Sequence, residues 1–295
     1  MKQLLILSGK GGTGKTTVSA AFAKISRAKA IADCDVDAPN LDMVLQMKTE
    51  AEIADFTGMD KAYINQDQCI SCALCLESCR FMAIDKKDGF RVDPYACEGC
   101  GVCEFVCPVG AVAMHSAVAG EKLLYREDAR IFSTAKLKIG SGTSGLLVTE
   151  VKKQMKLAAA DDADLAIIDG SPGIGCPVIA SVSGVHLVLI VAEPSVSGIS
   201  DMERIIKTTQ IFHTSVCVCI NKYDANLPRT EQIEELCGEM NIPVVGRIPF
   251  DPAVVHATNN GLTAVDIPSK AGDAIRDVYH RTWDLLFEGT RNTYK

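Results

Sequence analysis

The sequence predicts an α/β fold: a mostly parallel sheet covered by helices on both faces, with a smaller α+β domain inserted into it. Three observations carry this reading. Short apolar runs recur along the chain, each followed by a helical stretch, the pattern of parallel strands buried on both faces. A strand, a glycine-rich loop and a helix open the chain, the setting of a phosphate-binding turn. Eight of the 13 cysteines fall between residues 69 and 107, in a stretch that does not read as part of such a sheet.

The chain has 295 residues, enough for one large domain or two smaller ones. Thirty Lys+Arg against 37 Asp+Glu leave a net charge of −7. That argues against a broad nucleic-acid surface, which needs a cationic face, but not against a local phosphate site. With 47% hydrophobic and 23% charged residues the chain can bury a core. No apolar run approaches the roughly 18–20 residues of a membrane span. The N-terminal apolar stretch is too short for a secretory signal. The expected location is the cytoplasm, where cysteines are not expected to pair as disulfides.

Leu4 to Leu7 read as the first buried strand. The loop Gly9, Lys10, Gly11, Gly12, Thr13, Gly14, Lys15, Thr16, Thr17 follows, then the helical stretch VSAAFAKISRA. Gly9, Gly14, Lys15 and Thr16 satisfy the G-x-x-x-x-G-K-T spacing of a P-loop NTPase. The glycines turn backbone N–H groups toward phosphate oxygens. The helix N-terminus adds its partial positive charge. Lys15 is expected to reach the β- and γ-phosphates of ATP, and the Thr16 hydroxyl to ligate Mg²⁺.

Lys10, at the second position of the loop, gives the chain a resemblance to the MinD/ParA family of ATPases, whose Walker A motif is deviant in this way. The resemblance implies a homodimer in which Lys10 crosses to the partner's nucleotide. The alternative is a second phosphate contact in its own site. Ala28 to Ala32 read as a second strand ending in DCDVDAPNLD. Acidic residues at the carboxyl end of a parallel strand lie where ligands bind. By the resemblance Asp33 and Asp35 belong to the first switch, Asp35 positions the attacking water, and Asn40, Leu41 and Asp42 continue the match. Asp37 is expected to be a solvated loop carboxylate.

Next come the cysteines. Cys69, Cys72, Cys75 and Cys79 form C-x2-C-x2-C-x3-C; Cys97, Cys100, Cys103 and Cys107 repeat it, with Pro108 following. This is the run of two-cluster bacterial ferredoxins, in which the fourth Cys of each run serves the other cluster. The expected sets for two [4Fe–4S] clusters are Cys69, Cys72, Cys75 with Cys107, and Cys97, Cys100, Cys103 with Cys79. Thiolates suit these clusters because they are soft, charged donors. Gly99 and Gly101 give the second loop freedom to wrap. The alternative, structural zinc, usually shows two C-x2-C pairs with a longer gap. Arg80 departs from the ferredoxin pattern, which often has Pro there. DKKDGF supplies a turn between the halves. The inserted ferredoxin-like domain is expected at residues 61–116, and the ATPase domain at 1–60 and 117–295.

Residues 120–139 read as a hairpin. Gly140 to Gly145 then form a turn that opens the helix LLVTEVKKQMKLAA. Leu165 to Ile168 are a strand ended by Asp169. DGSPG resembles the family's second switch, which implies that Asp169 holds Mg²⁺ through water and that Gly173 moves toward the γ-phosphate. Pro172 directly precedes Gly173, unlike the family's D-x-P-x-G. Cys176 has two readings: a small residue packed under the switch, which is preferred, or the bridge to an accessory cluster, as in the related nitrogenase iron protein. Val185 to Val191 form a strand, with His186 read as a core residue, and Ser195 caps the next helix. Val216 to Ile220 lead into NKYD, where the resemblance implies that Asn221 bonds adenine and that Lys222 and Asp224 flank it. Val244 to Ile248 lead into the family's adenine-side loop. The helix over about 271–287 lacks a basic excess and reads as a packing helix, not a membrane anchor. Cys34, Cys217, Cys219 and Cys237 read as small buried residues.

Together these features predict an ATP-hydrolysing iron–sulfur protein that couples nucleotide-driven switch and dimer rearrangement to electron transfer with a partner. The alternatives are an Mrp-like cluster-delivery ATPase and a nucleotide-gated positioning switch.

Overall fold

The computed structural model describes residues 1–288. Residues 289–295, the end of the expected ATPase domain, lie outside them. A nine-stranded sheet organises the chain. Its parallel part runs β13 (Val244–Ile248), β12 (Ser215–Asn221), β11 (Leu187–Ala192), β1 (Lys2–Leu7), β10 (Leu165–Asp169), β2 (Ala30–Asp33) and β9 (Arg130–Leu137). β8 (Val118–Glu127) and β3 (Glu52–Thr57) then add antiparallel. The predicted hairpin is therefore β8–β9, and it extends the main sheet. β3 is a strand that the sequence reading missed.

The strands are apolar on both sides because helices cover both faces. One face packs α5 (Ser144–Ala158), α6 (Cys176–Val182), α7 (Val196–Ile211) and α8 (Leu227–Glu239). The other packs α1 (Lys15–Ser26), the short α2 (Leu41–Leu45) and α10 (Lys270–Phe287). The helix after the P-loop begins at Lys15, so the last loop residues are already helical. α9 (Pro252–Asn259) closes the edge near the loops, with Asp251 accepting from the Ala253 N–H as its N-cap. Ser195 caps α7 through the Gly198 N–H, as expected. α10 buries Ile275, Val278 and Leu286, the behaviour of a packing helix. Among the described residues no helix is long and apolar enough to cross a membrane.

Between β3 and β8 the chain leaves this sheet. β4 (Lys61–Ile64) pairs with β7 (Val112–His115), and β5 (Ile84–Asp85) with β6 (Arg91–Val92), with α3 (Leu74–Ser78) and α4 (Val102–Phe105) between them. The DKKDGF turn joins β5 to β6. This stretch has its own core, built on Ala62, Ile64, Ala83, Ile84, Phe90 and Val112.

Two expectations are corrected. His186 is exposed just before β11, not in its core; its Nδ1 accepts from the Gln3 N–H at 3.1 Å. Cys176 is exposed at the first position of α6 rather than packed beneath the switch, because the buried face of that helix falls on Val178 and Val182. Cys34, Cys217, Cys219 and Cys237 are buried, as expected.

Phe22 is fully buried on α1 and meets Tyr279 of α10 edge-on, with ring centroids 5.1 Å apart. Phe22→Ala should lower the unfolding free energy by about 3–5 kcal/mol, read by urea unfolding followed by circular dichroism.

Candidate nucleotide site and cysteine cradles

The P-loop joins β1 to α1 at the carboxyl edge of the sheet. Gly12 and Gly14 adopt φ of +79° and +94°. Gly14 is required twice over, since a Cβ there would lie 2.2 Å from Asn221 Nδ2. The loop lines a cleft of about 850 Å³, which Asp35, Asp37, Asn40, Ser171, Pro172, Thr258 and Asn259 close from other sides. A side pocket continues past Gly12, Gly14 and Thr17 to Asn221, Lys222, Pro249, Phe250 and Val254.

The charges at the floor are arranged around Asp169. Lys15 Nζ lies 2.9 Å from its Oδ1 and 4.0 Å from Asp35 Oδ2. The hydroxyls of Thr16 and Ser19 donate to Asp169 at 2.8 and 2.7 Å. Burial opposes the Lys15 charge, yet Asp169, Asp33 and Asp35 outweigh it and hold its pKa above the ordinary value. Asp35 is pushed up, chiefly by burial and against the pull of Lys15. Asp33 is fully buried and accepts from the N–H groups of Asp35, Asn40 and Leu41. It builds the first switch loop from within rather than facing the cleft. Burial and the Asp169 charge push its pKa up.

The other expected residues sit as follows. Lys10 pairs with Glu193 of its own chain at 3.0 Å, with Ser195 and Ser197 hydroxyls 3.4 Å away. Gly9 lies against Asp201, where a Cβ would clash at 2.1 Å. Gly11, Gly12, Thr13, Thr16 and Thr17 line the cleft. Gly173 has φ +95° and donates its N–H to the Ser8 carbonyl at 3.0 Å, tying the second switch to the P-loop. Asn221 Nδ2 donates to the Thr13 carbonyl at 2.6 Å, and Lys222 Nζ to that of Gly12 at 2.9 Å. Both therefore brace the P-loop from the side pocket. Asp224 accepts from the Phe250 N–H at 2.8 Å and steadies that pocket's wall.

Three participants escaped the sequence reading: Ser19, Glu193 and the Lys222 brace. Ser19 carried a signal, since it stands one turn after Lys15 on the same face. The others depend on contacts between distant segments.

Residues 4–264 match the model of the CobQ/CobB/MinD/ParA nucleotide-binding domain. The chain belongs to that family. It is a P-loop ATPase of the MinD/ParA kind. An uncharacterized protein of Methanocaldococcus jannaschii is 32% identical over 297 residues, covering 96% of this chain and 97% of that one. The septum site-determining protein MinD of Pyrococcus horikoshii, solved with Mg-ADP, has a similar fold: TM-score 0.58 at 19% identity, covering 99% of both chains. A shorter match, 39% identical over 54 residues, joins 18% of this chain to 64% of the pyruvate synthase subunit PorD of Methanothermobacter marburgensis.

The cysteines gather at two hollows. Cys69, Cys72, Cys75 and Cys107 line one, with Ile64, Leu74 and Phe90. Cys79, Cys97, Cys100 and Cys103 line the other, with Phe81, Ile84 and Val102. The Ala111 N–H donates to Cys107 Sγ at 3.2 Å and that of Ala83 to Cys79 Sγ at 3.4 Å. Among the described residues no three or more His, Cys, Asp or Glu side chains are grouped to hold a single metal ion.

Gly14→Ala should weaken binding of a fluorescent ATP analogue by roughly tenfold or more, about 1.4 kcal/mol. The left-handed backbone alone costs an L side chain roughly 1–2 kcal/mol. Equilibrium titration reads the loss.

Proposed function

We propose that this ATPase is an iron–sulfur protein in which nucleotide state and cluster redox state are coupled, with electron transfer to a partner as the output. The observation that carries the reading is the pairing of a complete P-loop floor with two hollows, each lined by four cysteines. Residues 61–116 are read as an inserted 2×[4Fe–4S] ferredoxin domain, and 1–60 with 117–295 as the ATPase domain. The separate core of the insert supports that division. The match to the pyruvate synthase subunit is about as long as the insert.

The donor set fits such clusters. Thiolates are soft ligands, the walls are apolar, and N–H groups point at Cys79 and Cys107. The four cysteines at each hollow would hold a cluster, and among the described residues no three or more are drawn together for a lone metal ion. Bound there, the clusters supply one-electron transfer.

For hydrolysis, Lys15 would exchange Asp169 for phosphate oxygens, and Thr16 and, through water, Asp169 are the residues that would hold Mg²⁺, whose charge would offset that of the phosphates. The Mg-ADP found in the Pyrococcus relative supports a magnesium nucleotide as the ligand of this cleft. Asp35, at the cleft wall, positions the attacking water. Gly173 releases the Ser8 carbonyl to approach the γ-phosphate, and Lys10 leaves Glu193 to reach the nucleotide of a second copy in a homodimer. Asn221 borders the adenine pocket. The likeness to a septum site-determining protein favours one second reading, a nucleotide-gated positioning switch with little turnover.

Anaerobic reconstitution should give about eight irons per chain, and Cys107→Ser or Cys79→Ser should each disturb one cluster of the two. A count near two irons would overturn the cluster assignment. Lys15→Ala should lower ATP hydrolysis by roughly two orders of magnitude or more, measured by phosphate release. Cluster EPR potentials recorded with and without ATP test the coupling: unchanged potentials would favour the positioning switch, and cluster loss to an apo-acceptor would favour delivery.

A further inference from the structure

A continuous line of contacts joins the insert to the second switch. Tyr95, two residues before Cys97, lies against Gly140, where a Cβ would come within 2.9 Å of its ring. The Glu98 carboxylate stands 3.6 Å from the corresponding point at Gly142. Both glycines have positive φ, +78° and +68°, so the loop turns tightly against the cysteine segment. It ends at Thr143, the N-cap residue of α5, which packs on Gly58 where the chain enters the insert. Gly145 then lets α5 touch α6: a Cβ there would lie 3.2 Å from both Cβ and the carbonyl oxygen of Cys176.

About two turns along α5, Lys152 is only 5% exposed. Its ammonium donates to the carbonyls of Ala180, Ser181 and Ser183 at 3.2, 2.5 and 2.6 Å. These lie at the C-terminal end of α6, where helix carbonyls lack partners and a positive charge is favoured. Three N–H donors meet three acceptors. α6 is thus held to α5 at both ends, and its N-terminal end is the continuation of the switch loop, residues 170–175. Nothing in the hydrolytic arrangement above uses this lysine.

We propose that Lys152 is a positioning residue: by clamping α6 to α5 it makes the second switch and the Tyr95–Gly99 segment move together. The inference rests on the reading that the insert answers to nucleotide, and names the residue through which it does so. Burial brings the Lys152 pKa down to about 8. The ionisable groups facing it are Cys34, whose thiol burial pushes up to about 12 and keeps neutral, and Lys156 on its own helix. α6 contributes only carbonyls, Cys176 being at its far end. Above that pH the neutral amine has two N–H donors for three carbonyls, and the clamp loosens.

Hydrogen exchange of the anaerobically purified full chain, with ADP and with a non-hydrolysable ATP analogue, tests this. In the wild type, residues 169–176 and 95–103 should both respond to the nucleotide. In Lys152→Met the first response should persist and the second vanish. Lys152→Arg should restore the response. The wild-type response at 95–103 should fade as pH rises through about 8 and should not fade in Lys152→Arg. A response preserved in Lys152→Met, or a fade that persists in Lys152→Arg, overturns the proposal. If Lys152→Met does not fold, Tyr95→Ala, at an exposed contact, must lose the response at 95–103; retaining it also overturns the line of contacts. A wild-type insert that ignores nucleotide overturns the coupling reading itself, and is recognised before any variant is made.

Discussion

A positive charge buried against one carboxylate organises the carboxyl edge of this sheet. Lys15 opens α1 and Asp169 ends β10, and the cores on the two faces hold both elements in place. An ammonium in such surroundings persists only when paired, and removing one partner of a buried pair typically costs about 3–5 kcal/mol. The pair therefore fixes where α1 can sit relative to the strand ends. Thr16 and Ser19 complete the shell around the same carboxylate. Lys15, Thr16 and Ser19 are each already matched to this one acceptor, so any other partner of these groups would have to exchange with Asp169. That makes the floor responsive: whatever displaces Lys15 from Asp169 changes the balance on Asp35 and on the loop that Asp33 supports.

The parts legible in the sequence were those whose signal is local. The P-loop spacing, the apolar strands and the hairpin over 120–139 depend on neighbours along the chain. β3 was not legible, because EIADFT is an edge strand that buries only Phe56, shows no alternation of buried and exposed residues, and is defined by β8 more than 60 positions away. His186 misled because it interrupts an apolar run; the strand starts one residue later and leaves the ring outside. Cys176 misled because small size suggests packing, whereas helix phase decides which side faces the core. Lys152 looked like one of several lysines on an amphipathic helix. Its acceptors lie on another helix, so no pattern within α5 distinguishes it from Lys153, which is solvent-facing.

The cysteines divide into two chemical populations. Burial pushes the Cys34 and Cys219 thiols up to about 12 and that of Cys237 to about 11, the condition of inert packing residues. In the segment between β3 and β8 all eight cysteines line the two hollows; Cys72 and Cys100 are exposed, whereas Cys75 and Cys97 are buried against that segment's own core. Repetition of the spacing made the second population readable; the crossing of Cys79 and Cys107 between hollows follows from the way β4 and β7 bring the two halves side by side.

The cysteine-bearing segment departs from and returns to adjacent antiparallel strands, with Thr57 opposite Val118. For the sheet, everything between them is a single loop closed by a ladder. The entropy of closing a loop grows slowly with its length, by only about 0.6 kcal/mol per doubling. Lengthening the segment between Thr57 and Val118 therefore costs the ladder little per added residue, and the register of the strands beneath the P-loop is set without it.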